Sequence, residues 1–189
     1  MIEIKPIETL DAEISVPGSK SLTQRALIAA ALADGSSTLH GVLESDDTDY
    51  SSRALLQMGI EIEKSGTTWR VDGRDGKIDT PEEDIYLGNN GTATRFLTSV
   101  AALGEGEFII DGDERMQQRP IEPLMKALEG WGVDIESIHG SGCPPLSIIS
   151  NGLAGGPTVL PEGKSSQYLS SLLLVAPYAG KRAELSVIG

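Results

Sequence analysis

The sequence predicts an α/β fold made of repeated units of about 70 residues. Two observations predict it: the chain is self-similar, and apolar helical segments alternate with strand-like segments in each copy. The segment "ALLQMGIEIE" at 54–63 returns as "ALEGWGVDIE" at 127–136, and "SLTQRALIAAALADG" at 21–35 resembles "GTATRFLTSVAALGEG" at 91–106. This period is too long for common solenoids. It favours a few α/β units packed around one core.

Each copy opens with a polar, glycine-bearing loop that precedes an apolar helix. We expect these helices to end at Gly35, near Gly104 and at Gly180, because glycine favours the position that follows a helix. A strand should follow each helix, and in the first two copies a second helix and two more strands. The predicted strands are 37–43, 60–66 and 67–73, then 107–112, 133–140 and 146–150, and finally 183–189.

The third copy stops after its first strand. By the pattern of the other two it lacks a second helix and two strands, so we infer that the chain is a piece of a longer protein. The alternative is a third copy that is naturally short. The predicted units cover about residues 18–87, 88–160 and 161–189.

Composition excludes several classes of protein. A net charge of −13 argues against a nucleic-acid surface, which needs a basic face. The single cysteine, Cys143, excludes an internal disulfide framework and fits a reducing compartment. The start of the chain has no signal-peptide pattern, and no apolar run reaches the ~18 residues of a membrane span. We therefore expect a soluble cytoplasmic protein that binds neither nucleic acid nor membrane.

The three loops that precede the first helices are expected to meet, since related units place equivalent loops at equivalent positions. They read "GSKS" at 18–21, "GNNGTATR" at 88–95 and "EGKSSQ" at 162–167. Helix N-termini attract anions, and lysine, arginine and hydroxyl groups add charge and hydrogen bonds. The candidate side chains are Lys20, Ser21, Arg25, Thr92, Arg95, Lys164, Ser165, Ser166 and Gln167.

A further basic segment, "DERMQQRP" at 113–120, puts Arg115 and Arg119 before the next helix, with Pro120 at its predicted first position. Helix capping or solvation would explain each loop taken singly, and "GSKS" lacks the spacing of a Walker A loop. Three related loops together favour a site for a polyanionic small molecule.

Six motifs then occur in a characteristic order: "PGSKSLTQRALIAAALADG", "SDDT", "LGNNGTATRF", "ERMQQRPIEPLMKAL", "PPL" and "SSQYLSSLLLVAPYA". From end to end, the chain resembles the N-terminal part of the 5-enolpyruvylshikimate-3-phosphate synthase (EPSP synthase) family. The resemblance implies a two-domain enolpyruvyl transferase fold with three βαβαββ units around a pseudo-threefold axis in each domain. Residues 18–189 would form the N-terminal domain, with its third unit incomplete, and residues 1–17 would belong to the other domain.

The resemblance also implies an activity, the transfer of the enolpyruvyl group of phosphoenolpyruvate to the 5-hydroxyl of shikimate 3-phosphate, with release of phosphate. No cofactor or metal is implied. The proton-transferring carboxylates of the family come from downstream, so we expect this chain alone to bind shikimate 3-phosphate without turnover. Its other partner would be the missing C-terminal domain, within a monomer.

Carried over by motif, Lys20 would be catalytic, lying between both substrates and stabilising developing charge. A side chain at Gly91 would collide with phosphoenolpyruvate. The residues implied to bind shikimate 3-phosphate are Lys20, Ser21, Arg25, Ser165, Ser166 and Gln167. Those implied to bind phosphoenolpyruvate are Lys20, Gly91, Arg119 and Gln167.

Two residues depart from the family pattern: Phe96, where proline is frequent, and Lys164, where an apolar or small residue is common. The carboxylates Asp46, Asp47 and Asp49 are expected to be solvated or capping. His40 and His139 are expected to have surface or core roles rather than catalytic ones.

Three alternative functions stay open. UDP-N-acetylglucosamine enolpyruvyl transferase shares the architecture, but that family has a reactive cysteine in the loop that corresponds to 113–120. Here Cys143 lies elsewhere, as a buried or turn thiol. A binding module without activity, or a split enzyme, is the second alternative. A nucleotide-binding protein is the third and is disfavoured by the loop spacing.

Overall fold

The computed structural model describes Pro6 and residues 8–161 and 165–188, which form five α-helices and nine β-strands. The first copy contains α1 (Lys20–Leu32), β1 (Asp34–His40), α2 (Asp46–Gln57), β2 (Glu61–Ser65) and β3 (Thr68–Arg74). When each later copy is taken to begin at the strand before its first helix, slightly earlier than the predicted bounds, the second contains β4 (Ile85–Tyr86), α3 (Gly91–Ala101), β5 (Glu105–Asp111), α4 (Glu122–Gly130), β6 (Asp134–Ser137) and β7 (Leu146–Asn151). The third contains β8 (Gly156–Leu160), α5 (Ser166–Val175) and β9 (Ala183–Val187). Single 3-10 turns lie at Met116–Gln118 and Ala176–Tyr178.

The strands form three small sheets, one for each copy. The first has the order β1-β3-β2 and is antiparallel, with Leu39 opposite Trp69. The second has the order β4-β5-β7-β6, in which only β4 and β5 run parallel. The third is the parallel pair β8-β9. In both the second and the third copy, the strand before the first helix therefore pairs in parallel with the strand after it.

The helices α1, α3 and α5 pack against one another at the centre of the molecule. Apart from Arg95, every residue of α3 is buried, as expected for a helix surrounded by other elements. The core is aliphatic at its centre, with Leu27, Leu97 and Leu172 fully buried on the three helices. Because the first helices are adjacent, the loops that precede them share one end of the molecule.

All five predicted helices and all seven predicted strands exist, with shifted ends. The strand predicted at 37–43 is β1, which begins earlier, at Asp34. Gly35 therefore lies inside this strand, at a φ of +89°, and does not cap α1. Pro120 does not start α4. That helix begins at Glu122, and Pro123 takes its second position. Two strands were missed: β4 has two residues, too few for an alternating pattern, and β8 begins with a glycine and a proline, which are typical of turns.

The N-terminus of α2 has a capping box, in which the side chains of Ser45 and Thr48 each bond the backbone of the other. Asp49, in the first turn, pairs with Lys64 at 2.7 Å and with Arg53 at 3.1 Å. Asp49 is half exposed, as expected for a solvated carboxylate, but the sequence did not predict these two ion pairs. The hydrogen bond from Lys64 and the nearby cations hold the pKa of Asp49 below its usual value.

The Asp49 pairs predict a dependence of stability on pH. Because the pKa of Asp49 is lower in the folded state, its contribution is fully present above the unfolded value of 3.8 and is lost as pH falls through the folded pKa. In Asp49→Asn we expect the free energy of unfolding to fall less steeply as the pH is lowered than in wild type. Urea unfolding at a series of pH values from neutral to below 3.8 measures this. An unchanged acid limb in Asp49→Asn would contradict the role of these pairs.

Candidate functional site

Three helix N-termini meet at one end of the molecule, and each is capped by a side chain of the preceding loop. The Ser19 hydroxyl accepts from the amide of Leu22 at 3.5 Å, the Asn90 side chain from Ala93 at 3.0 Å, and the Ser165 hydroxyl from Gln167 at 3.3 Å. Each cap satisfies one free amide of its helix and leaves others available to an anion. Ser165, predicted to bind substrate, is thus also a helix cap.

A buried polar cluster joins α1 to α3. Gln24 Nε2 donates to Asn90 Oδ1 at 3.1 Å, and Asn90 Nδ2 donates to the main-chain oxygen of Asp47 at 2.7 Å. The hydroxyl of Ser51 lies within 3.4 Å of both amide nitrogens. Gln24 and Asn90 are 1% and 2% exposed. Since buried polar bonds of this kind are directional, the cluster fixes the loop that carries Gly91 against α1 and α2.

A second polar cluster joins α3 to α5. Gln167 Nε2 donates to the Thr92 hydroxyl at 3.0 Å, and Arg95 donates to Gln167 Oε1. The Arg95 guanidinium also lies 5.1 Å from the centre of the Tyr168 ring. Further along the same two helices, the hydroxyls of two buried serines bond at 3.0 Å. Gln167 is therefore held beside the first turn of α3.

Lys20 is the first residue of α1, and its ammonium pairs with the Asp47 carboxylate at 2.7 Å. The expectation that Asp47 is solvated or capping is therefore wrong, because α2 presents this carboxylate to the lysine. The Lys20 side chain is 50% exposed, so its ammonium still reaches the open end of the three helices. The main chain of Asp47 also belongs to the α1–α3 cluster, which links the position of Lys20 to that of Gly91.

Gly91 and Arg119 are in contact. Gly91 is the buried first residue of α3, and a Cβ built on it would lie 2.8 Å from Arg119 Nη1. Arg119 follows the 3-10 turn after β5, so that chain segment brings a half-buried guanidinium over the α3 N-terminus. Arg115, predicted beside it, is exposed.

Apart from Lys20, which pairs with Asp47, the described cations at this end of the molecule lack a carboxylate partner. Within the described ranges, no carboxylate pairs with Arg25, Arg95 or Arg119. Arg53 and Arg74, away from the site, do have carboxylate partners. Three guanidinium groups without a carboxylate partner beside positive helix ends create a local positive field that favours anions, although the chain has a net charge of −13.

The remaining predicted residues fall as follows. Ser21 and Ser166 lie in the first turns of α1 and α5 and are exposed, while Lys164 is outside the described residues. Gln24, Asn90 and Ser170 were not singled out from the sequence. Asn90 could have been found, because asparagine is a preferred residue before a helix.

Cys143 is 7% exposed and precedes the cis Pro144–Pro145 bond, as predicted for a buried or turn thiol. The segment 113–120 contains no cysteine. The two histidines, His40 at the end of β1 and His139 in a turn, are both exposed, and His40 lines a cavity that Ser19, the cap of α1, also lines. His40 bonds Thr68 and the Cys143 thiol bonds the main chain of Ser141, so neither joins the two polar clusters described above.

Comparison with known proteins decides the family. The family profile for EPSP synthase (3-phosphoshikimate 1-carboxyvinyltransferase) matches residues 4–188. This chain belongs to the EPSP synthase family. The 3-phosphoshikimate 1-carboxyvinyltransferase of Rhizobium etli is 42% identical over 187 residues, which cover 98% of this chain and 44% of that protein. The one from Pseudomonas syringae pv. tomato is 43% identical over 190 residues, covering 100% and 45%.

Solved structures agree with the sequence comparison. EPSP synthase from Acinetobacter baumannii superimposes with a TM-score of 0.84 at 28% identity, over 93% of this chain and 40% of that one. The predicted fold class, an α/β domain of the two-domain enolpyruvyl transferase fold, is confirmed. The chain spans less than half the length of the EPSP synthases it matches. Among the residues described, no helix is both long and apolar enough to cross a membrane.

The buried cluster around Asn90 predicts a large loss of stability. Asn90→Ala removes the α3 cap. It also removes the bonds that Asn90 makes with the Gln24 amide and with the main-chain oxygen of Asp47. We expect the free energy of unfolding, measured by urea denaturation, to fall by about 2–4 kcal/mol. Ser45→Ala, which removes only the exposed cap of α2, should cost about 1 kcal/mol. Equal losses in the two variants would contradict the importance of the cluster.

Proposed function

We propose that this chain is the part of a 3-phosphoshikimate 1-carboxyvinyltransferase that holds the phosphate groups of both substrates. The complete protein transfers the enolpyruvyl group of phosphoenolpyruvate to the 5-hydroxyl of shikimate 3-phosphate and releases phosphate. The observation that carries the proposal is the convergence of three capped helix N-termini with Arg25, Arg95 and Arg119, none of which has a carboxylate partner among the described residues. Family membership supports the same reaction.

The phosphate of shikimate 3-phosphate fits between α1 and α5. Arg25, one turn into α1, bonds Ser170 of α5 at 3.3 Å, so a group that it binds lies beside both helix ends. The hydroxyls of Ser21, Ser165 and Ser166, at those ends, can donate to phosphate oxygens. These residues are assigned to shikimate 3-phosphate.

Phosphoenolpyruvate is assigned to the N-terminus of α3. Gly91 leaves room for a ligand to approach the backbone, and Arg119 over it presents a planar group that can bind a phosphate or carboxylate with two hydrogen bonds. Gln167, held by Thr92 and Arg95, lies between the two assigned regions. Lys20 is assigned to the region between the substrates.

The reaction requires protonation of the vinyl CH2 carbon, which becomes a methyl group, and attack of the 5-hydroxyl oxygen, which gives up its proton, on the neighbouring carbon. The resulting tetrahedral intermediate loses inorganic phosphate, and the new methyl group gives up a proton to restore the double bond. Throughout, the negative charges of the phosphate groups need fixed positive partners, which Lys20 and the helix ends provide. The carboxylates that move the protons are assigned to the downstream part of the protein, since Asp47 is already paired with Lys20.

The exposed segment before α1 supports a contact with a second domain. Leu10, Ile14 and Val16 are 78%, 79% and 75% exposed and lie outside all three sheets. Apolar side chains gathered in one such segment are typical of a surface that packs against another part of the protein. We assign residues 1–17 to the other domain, and 18–189 to a domain of three related units. The buried thiol of Cys143 supports a reducing compartment, and we propose a cytoplasmic monomer.

Release of phosphate tests the function. The complete gene product that contains this chain should release phosphate only when both substrates are present, and UDP-N-acetylglucosamine should not replace shikimate 3-phosphate. The 189-residue chain alone should bind shikimate 3-phosphate in calorimetry without turnover. Ligand binding without turnover by the complete product would identify a binding module and contradict the proposal. Turnover by the chain alone would contradict the assignment of the proton-moving groups.

A further inference from the structure

Among the described residues, Arg25 is the one side chain whose hydrogen bonds and ring contact together reach α1, α3 and α5. Its Nη1 donates to the main-chain oxygen of Ser21 at 3.0 Å, within α1. Its Nη2 donates to the hydroxyl of Ser170 at 3.3 Å, on α5. Its Cζ lies 5.1 Å from the centre of the Phe96 ring, on α3.

These contacts restrict the orientation of the guanidinium but leave some of its N–H donors unbonded. An arginine has five N–H donors in one plane, and the two bonds of Arg25 leave three donors free. The ring of Phe96, itself 1% exposed, lies within cation–π distance of the guanidinium and restrains its position. Part of the rotational freedom of this side chain is therefore already lost on folding. The entropic cost of ordering it when an anion binds is correspondingly lower.

The direction of the Ser170 bond is also fixed. Its hydroxyl donates to the main-chain oxygen of Ser166 at 2.8 Å, one turn earlier in α5. Since a hydroxyl has one proton, the Ser170 oxygen is left to accept from Arg25. The bond thus positions the guanidinium relative to the N-terminus of α5 as well as that of α1.

We propose that Phe96 and Ser170 are positioning residues for Arg25 and thereby set the affinity of the site for the phosphorylated acceptor. This inference rests on the proposed function, in which Arg25 binds the phosphate of shikimate 3-phosphate. An aliphatic side chain could fill the same space in the core, but only an aromatic ring presents a negative face to the guanidinium. Neither Phe96 nor Ser170 touches a substrate in this assignment.

The first test compares variants of the complete gene product by steady-state kinetics. Phe96→Leu should raise the KM for shikimate 3-phosphate by about 5–30-fold, the range of a partly desolvated cation–π contact, and leave kcat and the KM for phosphoenolpyruvate within roughly twofold. Phe96→Tyr keeps the ring and should restore most of the affinity. Phe108→Leu, which removes a ring of β5 that is equally buried, is the matched control for a core cavity and should leave all three constants near those of wild type.

The second test uses Ser170→Ala, a half-buried position that does not disturb the core. It should raise the KM for shikimate 3-phosphate by about 3–10-fold. In the double variant with Phe96→Leu, the increase in this KM should be smaller than the product of the two single increases, because both residues act through one guanidinium. If Phe96→Leu fails to fold, Ser170→Ala alone decides, and an unchanged KM overturns the proposal.

The outcomes separate this inference from the proposed function. A wild-type protein that releases no phosphate with both substrates contradicts the function itself. An active wild type with an unchanged KM in Phe96→Leu, or with equal losses in Phe96→Leu and Phe108→Leu, leaves the function standing and overturns the positioning role.

Discussion

Lys20→Ala should reduce the turnover of the complete protein by about 100-fold or more, the scale expected when one fixed charge is removed from a developing transition state. The ammonium sits at the open end of α1, paired with Asp47 at 2.7 Å. Without it, the site loses a positive charge and keeps the carboxylate of Asp47, which repels both anionic substrates. Phosphate release at saturating substrates measures the effect.

Lys64→Ala is the matched control for Lys20→Ala. Lys64 also pairs with an α2 carboxylate at 2.7 Å, that of Asp49, but it lies on β2 and covers the ring of Trp69. The control loses a comparable ion pair outside the site, so its turnover should stay close to that of wild type. If Lys20→Ala is no more impaired than Lys64→Ala, Lys20 does not belong to the site.

Gly91→Ala should raise the KM for phosphoenolpyruvate by about 10–100-fold, because displacements of about 1 Å at a reacting site have effects of this size. The added Cβ would lie 2.8 Å from Arg119 Nη1, closer than real Cβ contacts allow, so the guanidinium must move away from the α3 N-terminus. The methyl group would also occupy the space assigned to the ligand. The KM for shikimate 3-phosphate, whose phosphate is assigned to α1 and α5, should change much less.

Gly180→Ala provides the comparison for Gly91→Ala. A Cβ at Gly180 would meet its nearest atoms at 3.7 and 3.8 Å, which are ordinary contacts, and the residue lies beyond the C-terminal end of α5. Its kinetic constants should match those of wild type. A KM for phosphoenolpyruvate that does not change in Gly91→Ala would contradict the placement of this ligand.

The meeting of the three loops could be predicted from the sequence because it follows from the internal repeat. Copies of one unit pack in equivalent ways, so the residues before α1, α3 and α5 share one end of the molecule without any knowledge of side-chain contacts. The strand β8 could not be predicted in this way, since its glycine and proline have the composition of a turn. Its place beside β9 is set by pairing that only tertiary structure provides.

The contacts within the site were harder to predict than its location. The Lys20–Asp47 pair joins residues of two helices, and neither residue has a neighbour in sequence that indicates the partner. Gln24 and Ser170 are polar residues inside apolar helices, where exposure to solvent is the usual expectation for a polar side chain. Their buried or half-buried bonds depend on how the helices dock, so their roles become visible only in the folded structure.

The most direct test of the account is a structure of the complete protein with shikimate 3-phosphate bound. We expect the phosphate group to contact Arg25 and to lie against the N-termini of α1 and α5, within hydrogen-bond distance of Ser21, Ser165 or Ser166. A phosphate group bound elsewhere, with Arg25 still directed only at Ser21 and Ser170, would contradict the claim that the converging helix ends form the anion site.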